Sequence, residues 1–287
     1  MKAKGKSIFF YIILAIILLI VVTKLSSYIE NKYPVDKTAV ARILYLPTGN
    51  YMKLLSFGYP EFMADLLFIW SIQFIGDGAV VDRYDYLNNI YDTITDLNPK
   101  LIDAYRIGAL IAYYEMGDMK VVTKILDKGV RNNPMNWQMA VDGGFYCSEQ
   151  KDHEKSKEYF LQAAHIPDSP TWTWRWVAAE NYRLGDKKEA LNFWKTALET
   201  AVTPTEKRIC EGHIHDLIIE IAMEKVEDAV AIFSSFYYRY PNSLSELVAK
   251  GFLPHIPVDP NGKVFLYDNA TGKVSPQTPF SMYRHIK

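Results

Sequence analysis

Polar and apolar positions divide this chain into regions of different period. Residues 8–22 read IFFYIILAIILLIVV, extended by Ser7 and Thr23 and bounded by Lys6 and Lys24. Such an uninterrupted run is the pattern of a membrane helix. Residues 7–23 at about 1.5 Å each cover roughly 25 Å, enough for a hydrocarbon core of about 30 Å when flanking lysines snorkel. Lys2, Lys4 and Lys6 hold residues 1–6 in the cytoplasm by the positive-inside rule, so everything after Lys24 is expected outside it. A cleaved signal peptide competes with this reading, but VVTKLSSYIE offers no A-x-A-like site and no lipid-attachment Cys, which favours a retained anchor.

Residues 24–50 carry Pro34, Pro47, mixed charge and little periodicity, and read as a stalk. Apolar density returns in YMKLLSFGYPEFMADLLFIWSIQFIGDG, where Lys53, Glu61 and Asp65 argue against a second span and predict a buried core helix over residues 60–75. Beyond it the pattern turns helical and repeats. Aligning GDMKVVTKILDKGV, KDHEKSKEYFLQAA and GDKKEALNFWKTAL sets Asp118, Asp152 and Asp186 at intervals of 34 residues.

That period resembles the tetratricopeptide repeat, in which each unit is a helix pair that buries its apolar face only by stacking on its neighbours. Val122, Ser156 and Ala190 stand at its small position, Leu126, Phe160 and Trp194 at its large one, and Gly129, Ala163 and Ala197 at the next small one; Pro134 closes the first repeat. First helices match through Tyr113, Gly144, Trp174 and Val177, whereas Arg106, Ala140 and Asn181 depart from the pattern. An earlier half-matching unit ends at Tyr91 and Pro99 and pairs with the 60–75 helix. After the last repeat, Thr203-Pro204-Thr205-Glu206 predicts a capping box opening a helix to about Lys225, with a further helix to about Tyr238. The clearest repeats span residues 103–202, within a helical solenoid over 51–239.

The last segment, 240–287, changes period again. YPNSLSELVAKGFLPHIPVDPNGKVFLYDNATGKV predicts a short helix over residues 243–250 and two short strands joined through DPNG and NATG turns. It resembles the C-terminal part of type II secretion major pseudopilins. The N-terminus lacks a prepilin signal, since Gly5 is followed by Lys6 and Phe10 stands where glutamate is expected. The whole chain is therefore no pilin, and a hairpin capping the end of the solenoid is the plainer expectation.

Composition narrows the function classes. Hydrophobic residues at 49% support a packed core, and a net charge of −1 with no basic cluster after Lys6 gives no footprint for nucleic acid. The two cysteines, Cys147 and Cys210, leave a single disulfide open, with small buried hydrophobes the plainer reading. Cys210, Glu211, His213, His215 and Asp216 are the densest group of possible metal ligands, but His213 and His215, two apart on a helix, point away from each other. Asp259, Asn261, Asp268 and Asn269 could offer oxygens to calcium, as the pseudopilin resemblance suggests, yet Asp and Asn are also ordinary turn residues. No nucleophile elbow, zincin, P-loop or Rossmann pattern is present, so no enzyme activity and no cofactor are expected.

What remains is a groove. In tetratricopeptide repeats the first helices build the concave surface, and the resemblance places Ile107, Ile111, Tyr114, Phe145, Trp172, Arg175, Tyr182 and Arg183 there. The aromatics would supply contact area and the two arginines would pair with carboxylates of a peptide or helix. The expected protein is all-α, an inner-membrane, single-pass scaffold that binds a protein partner outside the cytoplasm, with a pilus or secretion assembly as the setting implied by resemblance. Two alternatives stay open: a self-associating structural or filament component, possible as a homo-oligomer, and a periplasmic metal enzyme.

Overall fold

A computed structural model describes residues 16–25, 28, 46–78, 80 and 82–281. Residues 16–25 are helical, while residues 7–15 of the expected span lie outside the described residues. Among the described residues no helix is long and apolar enough to cross a membrane. The fold is all-α, with one two-stranded pair among the described residues. Two compact units divide the chain, Met1–Ala104 and Tyr105–Lys287.

In the first unit, α1 (Gly49–Leu55) and α2 (Pro60–Gly76) both pack on α3 (Leu87–Leu97), with a 3-10 turn at Arg83–Tyr86. Helix α3 is amphipathic, burying Leu87, Ile90, Tyr91, Ile94 and Leu97. Ser71 of α2 donates to the Tyr91 hydroxyl, and Thr93 and Asn89 of α3 tie down the carbonyls of Pro47 and Leu46. The expectation of a buried helix over 60–75 needs correction. Helix α2 buries only Ala64, Ser71 and Ile75, and leaves Phe62, Leu66, Ile69 and Ile72 exposed.

The second unit is a run of helices: α4 (Ile102–Ile111, which starts just before it), α5 (Met119–Asn132), α6 (Trp137–Glu149), α7 (His153–His165), α8 (Thr173–Arg183), α9 (Lys187–Thr200) and α10 (Pro204–Tyr237), with α5 to α10 each packing on the next in chain order. The 34-residue interval acquires a physical meaning. Asp118, Asp152 and Asp186 are the N-caps of α5, α7 and α9, each carboxylate accepting from free amides of the first turn. One residue earlier, Gly117, Lys151 and Gly185 all take the left-handed conformation that turns one helix into the next.

Side chains at the repeat positions meet in the core. Val122, Ser156 and Ala190 are fully buried, as are Leu126 and Phe160, with Trp194 nearly so. Glycine is required where α6 and α7 touch: a Cβ on Gly144 would lie 2.8 Å from the Phe160 ring. The departures from the repeat pattern have local reasons. Arg106 pairs with Asp142 of the next first helix at 2.6 Å, and the buried Asn181 amide donates to the Val177 carbonyl.

Thr203 and Glu206 form the expected capping box with Pro204 in the first turn. The two helices expected after it are one: α10 continues through Lys225 to Tyr237, 34 residues and about 51 Å long. Nothing in its sequence breaks it, since no Pro or Gly falls between Gly212 and Tyr237. The continuation serves packing. Ile219, Val226, Val230 and Phe233 form a core with Leu244 and Leu247 of α11 (Leu244–Ala249), Leu253, Phe265 and Val274. Strands β1 (Leu266–Tyr267) and β2 (Val274–Ser275) pair antiparallel, so the C-terminal segment covers the second half of α10.

Candidate functional site

First helices of successive pairs contact one another through a row of polar and aromatic groups. Arg106 of α4 meets Asp142 of α6, the Tyr113 hydroxyl donates to Glu149 at 2.6 Å, and the Tyr113 and Tyr146 rings stack with centroids 4.5 Å apart. Between α6 and α8 the row turns inward. Glu180, fully buried, accepts from Ser148 Oγ at 2.8 Å and from Arg183, and faces His153 Nδ1 at 2.7 Å. A buried carboxylate is tolerable only when its lone pairs are met this fully. This arrangement differs from a hydrolytic triad, where histidine stands between nucleophile and acid; here the carboxylate is the centre.

Beside this clasp, Phe145, Ser148, Glu149, Lys151, His153, Trp176 and Arg183 line a pocket of about 500 Å³. A second pocket of about 330 Å³ is formed by Arg175, Trp176, Ala179, Tyr182, Arg183, Trp194, Ile209 and His213. The two share Trp176 and Arg183. Trp176 stacks on Phe160 at 5.4 Å and meets Phe145 edge-on at 4.9 Å, so the shared wall is rooted in the core. The His213 ring lies on Trp194, and burial pushes its pKa below the ordinary histidine value. The pockets are thus walled by aromatic faces, with cationic groups at their edges.

Four of the eight expected groove residues, Phe145, Arg175, Tyr182 and Arg183, line these pockets. Trp172 sits 6.2 Å from the Phe145 ring and Tyr114 is exposed against Tyr113, while Ile107 and Ile111 are half-buried on α4; none of these four lines either pocket. The two arginines, which the sequence reading treats alike as partners for carboxylates, are not equivalent. Arg183 Nη1 is committed to Glu180 and Ser148, whereas the Arg175 guanidinium forms no hydrogen bond or ion pair among the described residues. Trp176, Trp194, Ile209 and the Glu180 clasp were missed in the sequence. For Trp194 a signal existed, since it holds the large repeat position and must face whatever helix comes next.

The other candidates resolve into structural roles. Cys147 and Cys210 are free and buried, so the disulfide left open is not formed, and burial raises the Cys147 pKa to about 12. Around α10, Cys210 points into the core, Glu211 is exposed, His213 walls the pocket, and His215 Nδ1 lies 3.1 Å from buried Asp216. Among the described residues no group of three His, Cys, Asp or Glu side chains is placed to hold a metal ion. Asp259 accepts from the amides of Asn261 and Lys263, and Asp268 from Ala270 and Thr271, which are turn contacts; Asp259 also accepts from the Thr278 hydroxyl, a longer-range bond within the C-terminal segment. The sequence matches no protein-family model and no curated protein, so a functional reading must come from this site's own chemistry.

Proposed function

We propose that the chain is a membrane-tethered tetratricopeptide-type scaffold that holds a protein partner on the extracytoplasmic side, within an envelope assembly such as a pilus or secretion system. The observation that carries the groove is the pair of aromatic-walled pockets sharing Trp176 and Arg183 on the first-helix row. An aromatic or long aliphatic partner side chain fits the face formed by Trp176, Tyr182 and Trp194, and a neighbouring carboxylate would meet Arg175. N-caps and left-handed turns recurring every 34 residues support the repeat assignment. The apolar run at residues 8–22 supports the tether. The pilus or secretion setting rests on the C-terminal resemblance alone.

The test is crosslinking of the full chain in native membranes followed by mass spectrometry, comparing wild type with Arg175→Glu combined with Tyr182→Ala. A partner lost in the variant supports the groove, and an unchanged partner set overturns it. Self-association is a second reading, favoured by the exposed Ile232, Phe236 and Tyr238 near the end of α10. It requires the chain itself to be the crosslinked partner.

A further inference from the structure

Within the first unit, α1, α2 and the turn between them carry an apolar surface that no other described residue covers. Tyr51, Leu54, Leu55, Phe57, Tyr59 and Phe62 are all exposed, Leu54 by 77% and Phe57 by 89%. Along α2 the exposure continues through Leu66, Ile69 and Ile72, spaced as one helical stripe, opposite the Ala64, Ser71 and Ile75 side that is buried. Helix α2 is apolar on both sides, which in a water-bathed helix leaves one side unsatisfied. The turn is a built feature. Ser56 Oγ donates to the Lys53 carbonyl at 2.6 Å, and the Tyr59 amide donates to the Ser56 carbonyl at 2.9 Å. Between them Phe57 is held at φ +51°, a conformation disfavoured for a bulky residue, with its ring in solvent.

Position along the chain identifies what covers this surface. The apolar run at 8–22 ends only 24 positions before Leu46 in the sequence, so the chain itself keeps this surface within reach of whatever that run enters. A surface so tethered meets the bilayer at high effective concentration. Its side chains suit the interfacial layer: phenyl and leucyl groups between two tyrosines, with Lys53 beside them. Glu61 and Asp65, both exposed on α2, resist entry into hydrocarbon and limit the contact to the interface.

We infer that the corner formed by α1 and α2 is a second, interfacial contact with the membrane that the apolar run enters, so that the first unit lies against the lipid surface. This inference rests on the tether reading above. Its test uses the full chain reconstituted into vesicles, with a spin label at Phe57→Cys, at Leu54→Cys or, as a reference, at Val202→Cys, an exposed site at the end of the third repeat. The native thiols at Cys147 and Cys210 are buried, so the label reports the introduced site. Collision rates with oxygen, which partitions into lipid, are compared with those of a water-soluble nickel chelate.

At positions 54 and 57 oxygen is expected to exceed the chelate several-fold, with the order reversed at 202. If the chain floats with vesicles but 54 and 57 meet the chelate as freely as 202, this inference falls and the tether stands. Spin–spin broadening at 57 that vanishes on dilution with unlabelled chain would replace lipid with a second copy, and also overturns it. A chain that fails to float with vesicles overturns the tether reading itself.

Discussion

The His213 ring lies flat on Trp194, with centroids 4.0 Å apart and planes 14° from parallel. Burial in this stack holds the His213 pKa below the usual 6.5, with Asp216 opposing the shift and Arg175 adding to it. The unfolded chain therefore binds this proton more readily than the folded one. Stability from this group is fully present above about pH 6.5 and declines as pH falls toward the lowered folded value. Urea midpoints at pH 7.5 and 5.5 should show a loss on acidification, and His213→Phe, which keeps the stack, should show a smaller one. An equal loss in the variant would remove His213 as the cause.

Lys151 occupies the left-handed turn position that Gly117 and Gly185 fill in the flanking repeats, at φ +63° against +64° and +84°. A side chain there costs about 1–2 kcal/mol, while glycine costs about 0.5–1 kcal/mol in unfolded-chain entropy. Lys151→Gly is thus expected to stabilise the fold by up to about 1 kcal/mol. Lys151 also lines the larger pocket. On the proposed groove reading the same variant should weaken partner capture, a stability gain with a binding loss, read by denaturation and by crosslinking yield.

Regular parts of the fold were legible because they repeat. The Asp118, Asp152 and Asp186 interval gave the period, though not that these residues are N-caps, and Val122, Leu126 and Gly129 with their counterparts marked the buried faces. What the sequence concealed depends on contacts between repeats. Glu180 reads as one more helical glutamate until α6 and α7 bring Ser148 and His153 to it. The exposure of α2 was hidden for the opposite reason, since an apolar helix looks the same whether covered or bare. The unbroken α10 depended on the C-terminal segment packing over Val226 to Phe233, a contact no local pattern reports.

Glu180 and Arg106 separate buried from exposed electrostatics within one row. Truncating Glu180 leaves Ser148, His153 and Arg183 without their common acceptor in a buried site, where breaking such a network costs about 3–5 kcal/mol. Arg106 and Asp142 are a partly exposed pair, and such pairs contribute about 0–1 kcal/mol. Chemical denaturation should therefore rank Glu180→Ala far below Arg106→Ala in stability. Similar losses in the two variants would mean that water reaches Glu180.

Asp216 fastens the end of the described chain to α10. Its carboxylate accepts from the Ser281 amide at 2.8 Å and the Ser281 hydroxyl at 2.9 Å, while Ser281 Oγ also contacts the Gly212 carbonyl. The apolar cap is held separately, through Phe265, Val274, Leu247 and Leu253 against α10. Asp216→Ala should free the Ser281 amide, with a loss of about 1–3 kcal/mol concentrated near residues 276–281. Phe265→Ala removes a core ring and should cost about 3–5 kcal/mol, loosening the whole cap. Amide exchange distinguishes the two: fast exchange confined to the chain end for Asp216→Ala, and spread through α11 and the hairpin for Phe265→Ala. Were Asp216→Ala to open α11 as well, the carboxylate rather than the apolar cluster would be holding the cap in place.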